Sequence, residues 1–153
     1  MDTTTLWVIG SPGETWEEIR QTIRVAEAMD ADYTKLNTAT PYPGTKLFDM
    51  AVDGGYLSRE FNFDDLSWGQ ATLTTEEFCA KELTVLRAFE WDRINFTRPE
   101  KRAKIARMMG VDEAELKKIR KDTRNQALAV LGEKSVEPLE EDKSESATVP
   151  PSG

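Results

Sequence analysis

The 153 residues carry 28 Asp and Glu against 20 Lys and Arg, a formal net charge of −8, with 39% hydrophobic residues. No apolar run reaches the roughly 18 residues a membrane-spanning helix needs, and no basic stretch precedes an apolar one at Met1-Asp2-Thr3-Thr4-Thr5, so a soluble cytoplasmic chain is expected. The chain has no histidine and one cysteine, Cys79, which excludes His-based triads, His metal ligands and His general bases, an internal disulfide and a multi-thiolate metal site.

Leu6-Trp7-Val8-Ile9 is a short apolar run ending on Gly10-Ser11-Pro12-Gly13, the pattern of a buried strand entering a tight turn. Thr15 and Glu18 have capping-box spacing, and Trp16, Ile19, Ile23 and Ala26 recur at helical spacing, with Val25 and Met29 widening the apolar stripe. Asp30 and Asp32 punctuate the helix end, Tyr33 to Thr40 reads as a second strand, and Pro41-Tyr42-Pro43-Gly44-Thr45 forces another turn. Two strands joined by a packed helix make a right-handed βαβ unit with parallel strands, and ligands in such units sit at the carboxyl ends of the strands, where both Gly/Pro turns fall.

Leu47, Phe48, Met50 and Ala51 predict a short helix stopped by Asp53-Gly54-Gly55, and residues 56–73 mix aromatic and polar residues without a period, as an ordered surface loop does. Thr74 and Glu77 repeat the capping-box spacing, which predicts a helix from there to about Asp92 with Phe78, Cys79, Leu83, Val85, Leu86 and Phe89 inward. On that face Cys79 is a small core residue, with no neighbouring cationic group to make it reactive. Thr97 with Pro99 and Glu100 starts another helix, carrying Ile105, Met108 and Met109 and ended by Gly110, and Asp112 with Glu115 starts the next, with Leu116, Ile119, Leu128 and Leu131 inward. The charge is uneven: residues 98–124 carry 10 basic and 5 acidic groups, while residues 1–97 carry 8 and 17. Residues 132–153 have four Ser, three Pro and few bulky apolar residues, so a disordered tail is expected.

The stretch Leu6 to Thr45 resembles the second half of the radical S-adenosylmethionine (radical SAM) barrel, in the branch that also binds cobalamin, such as Mg-protoporphyrin ester cyclase-like proteins and related methylases. Val8, Gly10 and Glu14 match the last positions of that family's G-x-I-x-G-x-x-x-E-like strand end, with Leu6 in place of its first Gly. Gly10, Pro12, Gly13, Glu14 and Thr15 match the branch's G-x-P-G-E-T, and Thr40 through Thr45 spell its T-P-Y-P-G-T. Phe96-Thr97-Arg98-Pro99 is similar to an aromatic-x-Arg-Pro run found after the barrel.

The resemblance implies a partial (β/α) barrel fragment of late βα units over residues 1–55, the loop 56–73, a helical C-terminal region over 74–131 and the tail. It further implies S-adenosylmethionine as cofactor, with Val8, Gly10, Pro12, Gly13, Glu14, Asn37, Thr40, Pro41, Tyr42 and Pro43 in its site. The family's four-iron cluster needs a C-x-x-x-C-x-x-C loop that is absent here. The cluster, the cobalamin and the earlier strands would therefore come from a missing N-terminal half, and the chain alone would be inactive toward its small-molecule substrate.

Two other readings stand beside this one. Residues 99–124 follow helix-turn-helix spacing, with Lys117, Lys118, Arg120, Lys121 and Arg124 available to phosphates, although the acidic chain makes nucleic acid a poor partner. Alternatively the chain is a structural or interaction fragment with no ligand. In a fragment cut from a barrel, both strands are expected to expose unpaired edges, and the face bearing Trp7, Ile9 and Leu36 is expected to lack its covering strands.

Overall fold

Strand β1 (Thr4–Ile9) forms where β-branched or aromatic residues fill every position but Leu6, and it stops at Gly10, whose φ of +86° suits glycine. Helix α1 (Trp16–Ala28) begins with the expected capping box: Glu18 N–H donates to Thr15 Oγ1 at 3.2 Å, and Thr15 N–H donates to Glu18 Oε2 at 2.8 Å. A cap of this kind contributes about 1 kcal/mol. Strand β2 (Tyr33–Thr38) returns parallel to β1, so the chain has a mixed α/β fold built on a parallel βαβ unit, with Trp7 opposite Leu36 and Val8 opposite Asn37. The structure, a computed structural model, describes residues 1–57 and 61–132. The expected tail, apart from Gly132, and Ser58 to Glu60 of the loop lie outside them.

The two faces of the sheet are assigned opposite to expectation. Trp7, Ile9, Thr34, Leu36 and Thr38 point toward the helices and are covered, with Ile9 and Leu36 fully buried in the main core cluster. Leu6 and Val8 are on the other face, 62% and 50% exposed, beside Lys35 and Asn37. Because Leu6-Trp7-Val8-Ile9 is apolar at every position, its two-residue period carries no signal for which face is covered. Val25 and Met29 of α1 are likewise exposed: the sheet has two strands, and one stripe of Ile19, Ile23 and Ala26 suffices to cover its share.

Helix α2 (Lys46–Asp53) follows, capped by Thr45, whose hydroxyl accepts from Phe48 N–H at 3.2 Å. The loop beyond it contains a short 3-10 turn (Phe63–Asp65) and is pinned by antiparallel bridges between Leu57 and Leu73 and between Ser67 and Gln70. Helix α3 (Ala80–Phe96) starts six residues later than Thr74 suggested, with Cys79 as a half-buried N-cap and not as a residue on its core face. The capping signature is spent elsewhere: Thr75 Oγ1 accepts from Glu77 N–H and Phe78 N–H, while the Glu77 carboxylate reaches across to Trp16 N–H at 3.0 Å, at the first turn of α1. At its other end α3 continues past Asp92, and its buried side takes in Trp91, Ile94 and Phe96. Helix α4 (Pro99–Met109) has Arg98 as N-cap, Thr97 ending α3 instead, and it stops at the left-handed Gly110. Helix α5 (Glu113–Ala129) is capped by Asp112, which accepts from Glu115 N–H at 2.8 Å; Leu116 and Leu128 are buried and Leu131 is exposed.

Helix α3 packs on β2, α4 and α5 at once, which is why it buries polar residues as well as apolar ones. Each of these has partners. Thr84 Oγ1 accepts from Ala71 N–H; Asp92 takes Arg120 and Arg124; Asn95 takes the Thr34 N–H and donates to the Thr34 carbonyl at 2.9 and 2.8 Å. Arg87 Nε donates to the Leu36 carbonyl at 2.6 Å, and Thr38 N–H donates to the Trp68 carbonyl at 3.0 Å. The outer edge of β2 is thereby occupied by α3 and the loop, against the expectation that both strand edges are open. That of β1 receives no hydrogen bond among the described residues.

Candidate functional site

Parallel strands bring both Gly/Pro turns to one edge of the sheet, and Ala39 N–H donating to the Ile9 carbonyl at 2.8 Å ties them together. In the first turn, Gly10 N–H and Ser11 N–H both donate to Glu14 Oε2, at 2.7 and 2.9 Å. One oxygen of Glu14 is thus committed to closing its own turn. Gly10 answers two demands, its positive φ and its packing: a Cβ there would stand 2.2 Å from Leu83 Cδ2 of α3. Gly13, at φ +85°, has nothing within 4 Å of the place its Cβ would occupy. Of the two, Gly13 is where another molecule can approach the backbone. Pro12 is half-buried between them.

The second turn is held by its own hydroxyls. Thr40 Oγ1 donates to the Thr38 carbonyl at 3.1 Å, and Thr45 Oγ1 donates to the Tyr42 carbonyl at 2.6 Å. Pro41 is fully buried and serves as a wedge, whereas Tyr42 and Pro43 are exposed. The Tyr42 hydroxyl accepts from Trp68 Nε1 at 3.0 Å, and the Trp68 indole is itself 66% exposed at this mouth. Sequence reasoning left Trp68 in an unassigned loop; a lone Trp between Ser67 and Gly69 carries no period that would have placed it.

Below the mouth, Val8 and Asn37 are register neighbours on the open face. An apolar patch beside an amide can hold a flat heterocycle and hydrogen-bond its polar edge, because the Asn side chain both donates and accepts. The Asn37 amide has no hydrogen bond among the described residues. The ten residues expected in the site therefore separate: Val8, Gly13, Asn37, Thr40, Tyr42 and Pro43 border accessible space at one edge, and Gly10, Pro12, Glu14 and Pro41 build the turns that hold them. Among the described residues no group of three or more His, Cys, Asp or Glu could hold a metal ion.

A groove of about 800 Å³ is lined by Glu27, Asp30, Arg93, Arg98 and Lys101, beside the start of β2 and away from this mouth. Its charges already pair with one another, Glu27 with Arg93 and Asp30 with Arg98. The helix-turn-helix segment is similarly committed. Arg120 and Arg124 turn inward onto the buried Asp92 carboxylate, at 2.8 Å each, and Lys104 reaches Asp32 at 2.6 Å. Two of the five cations expected to meet phosphates thus point into the protein.

No family model matches the chain. Over 51 residues it is 45% identical to an uncharacterized methyltransferase of Pyrococcus horikoshii, a match that covers 33% of this chain and 11% of that protein. The chain spans about a ninth of the length of this relative. No helix among the described residues is long and apolar enough to cross a membrane.

Proposed function

We propose that this chain is the C-terminal part of a radical S-adenosylmethionine protein of the cobalamin-binding branch, and that its βαβ unit is a piece of a partial (β/α) barrel forming one side of the S-adenosylmethionine and substrate chamber. The observation that carries this reading is the gathering of two separated turn motifs and the Val8–Asn37 pair at one edge and one open face of a parallel sheet. The 45% identity to a methyltransferase is in keeping with it.

In this site Val8 supplies an apolar surface for the adenine, Asn37 and Thr40 supply polar contacts to its edge and the ribose, and the space beside Gly13 admits the methionine part. Bound S-adenosylmethionine would supply a sulfonium-activated carbon for transfer or cleavage. The chain's own residues bind and orient it. They do not fit a four-iron cluster, which needs three thiolates where the chain has Cys79 alone, so no electron-transfer step runs through this chain and the cluster-bearing half belongs to another chain.

The experiment is titration of the chain with S-adenosylmethionine, followed by calorimetry and by NMR shifts of the amides. Shifts at Val8, Gly13, Asn37 and Thr40 that Asn37→Ala weakens support the reading. Shifts confined to other residues, or saturation unchanged by Asn37→Ala, refute it. Reconstitution with iron and sulfide should leave the chain colourless.

A further inference from the structure

The two edges of the sheet differ in a way that the binding reading does not use. In β2 the residues whose main chain faces outward are Thr34, Leu36 and Thr38, and they are met by Asn95, Arg87 and the Trp68 carbonyl. In β1 the outward-facing residues are Thr4, Leu6 and Val8, since Thr3 and Ile9 carbonyls accept from Tyr33 and Ala39 on the β2 side. No hydrogen bond among the described residues reaches those three outward main-chain groups. A bare edge with exposed apolar side chains and no charge, proline or bulge is the feature that monomeric sheet proteins ordinarily avoid.

We infer that the outer edge of β1 is a self-association surface, where a second copy of this chain adds its own β1 antiparallel about a two-fold axis through Leu6. The self-complementarity of the strand selects this occupant. Three residues face outward, so an axis at the middle one sets Leu6 opposite Leu6 and Thr4 opposite Val8 in both directions, and every outward N–H meets a carbonyl. The same pairing places the exposed Leu6 and Val8 side chains beside uncharged partners, where no like charges oppose each other. Growth stops at two chains, because the remaining edge of each copy, on β2, is already filled by α3 and Trp68. This inference goes beyond the proposed ligand site and stands whether or not S-adenosylmethionine binds.

Sedimentation of the full chain over a concentration series, with hydrogen exchange at Leu6 and Val8, tests it. The wild type should be a dimer that dissociates on dilution, with the Leu6 and Val8 amides protected only in the dimer. Leu6→Lys, which sets two ammonium groups across the axis, should raise the dissociation constant at least tenfold. Its far-UV spectrum and monomer melt should stay those of the wild type, since position 6 lies on the open face. As a second probe, Val8→Lys should act in the same direction, and intermolecular NOEs between Thr4 and Val8 should appear in a mixed-label sample. A wild type that stays monomeric with unprotected Leu6 and Val8, a dimer indifferent to both substitutions, or assembly beyond two chains would each overturn the proposal.

Discussion

The two strands of the sheet are equal in length and parallel, yet one edge is finished and the other is not. Along β2 the polar groups of α3 stand in for a neighbouring strand: Asn95 presents an amide that copies the donor and acceptor of a peptide group, and Arg87 caps the next carbonyl. Along β1 no element does the same. A helix that buries an asparagine and an arginine stem against a strand marks the place where the sheet ends, while the bare strand marks the place where more sheet, or a second sheet, belongs.

The comparison can be broken most strongly at the post that holds α3 in position. Asp92 is buried between Arg120 and Arg124, and Asp92→Ala would leave two inward guanidinium groups without their carboxylate. Removing one partner of a buried ion pair costs about 3–5 kcal/mol, so chemical denaturation should show a loss of that size, with α5 detaching first. Asn95→Ala should cost less, about 2–4 kcal/mol, by leaving the buried Thr34 N–H and carbonyl unsatisfied. It also sharpens the contrast, because it opens the second edge: the variant should form species larger than the wild type in sedimentation. A variant that melts early without associating further would mean that Asn95 stabilises β2 but does not guard it.

Much of the βαβ unit was legible because its signals are local. The Thr15–Glu18 box, the Gly10 and Pro41–Gly44 stops and the Asp112 cap each depend on residues a few positions apart, and each forms as its spacing says. What escaped depends on distant partners. Thr74, Thr75 and Glu77 present the pattern of a cap, but Trp16 of α1 offers Glu77 a free amide and draws the carboxylate away. Asp92 and Asn95 read as solvent-facing polar positions until α5 and β2 close over them, and a helix packed on several sides has no single apolar stripe to reveal it. At the mouth, the turn residues could be named from sequence, whereas their division into ligand-facing and turn-building groups could not. That division rests on where Leu83 and the Glu14 carboxylate lie.

The smallest expected effect concerns pH and again separates the two strands. The start of β1 is held by Asp32, whose carboxylate accepts from Thr3 N–H at 2.8 Å and from the Lys104 ammonium at 2.6 Å. Lys104 first and the Thr3 amide second hold the Asp32 carboxyl below its ordinary range. A carboxyl whose folded-state pKa lies below its unfolded one, which is about 3.9, adds stability that is complete above that unfolded value and is lost as pH falls through the lower folded value. The outer edge of β2 has no comparable dependence, since amide, guanidinium and carbonyl groups do not titrate there. Melting curves of the wild type and Asp32→Asn from neutral pH to pH 2 should therefore differ by a small margin at neutral pH and converge at the acid end. The margin should also shrink in high salt, because the pair lies at the surface and is screened. A difference that persists at the lowest pH would place the contribution of Asp32 in packing, and the start of β1 would then be held by the same kind of pH-independent contact as the edge of β2.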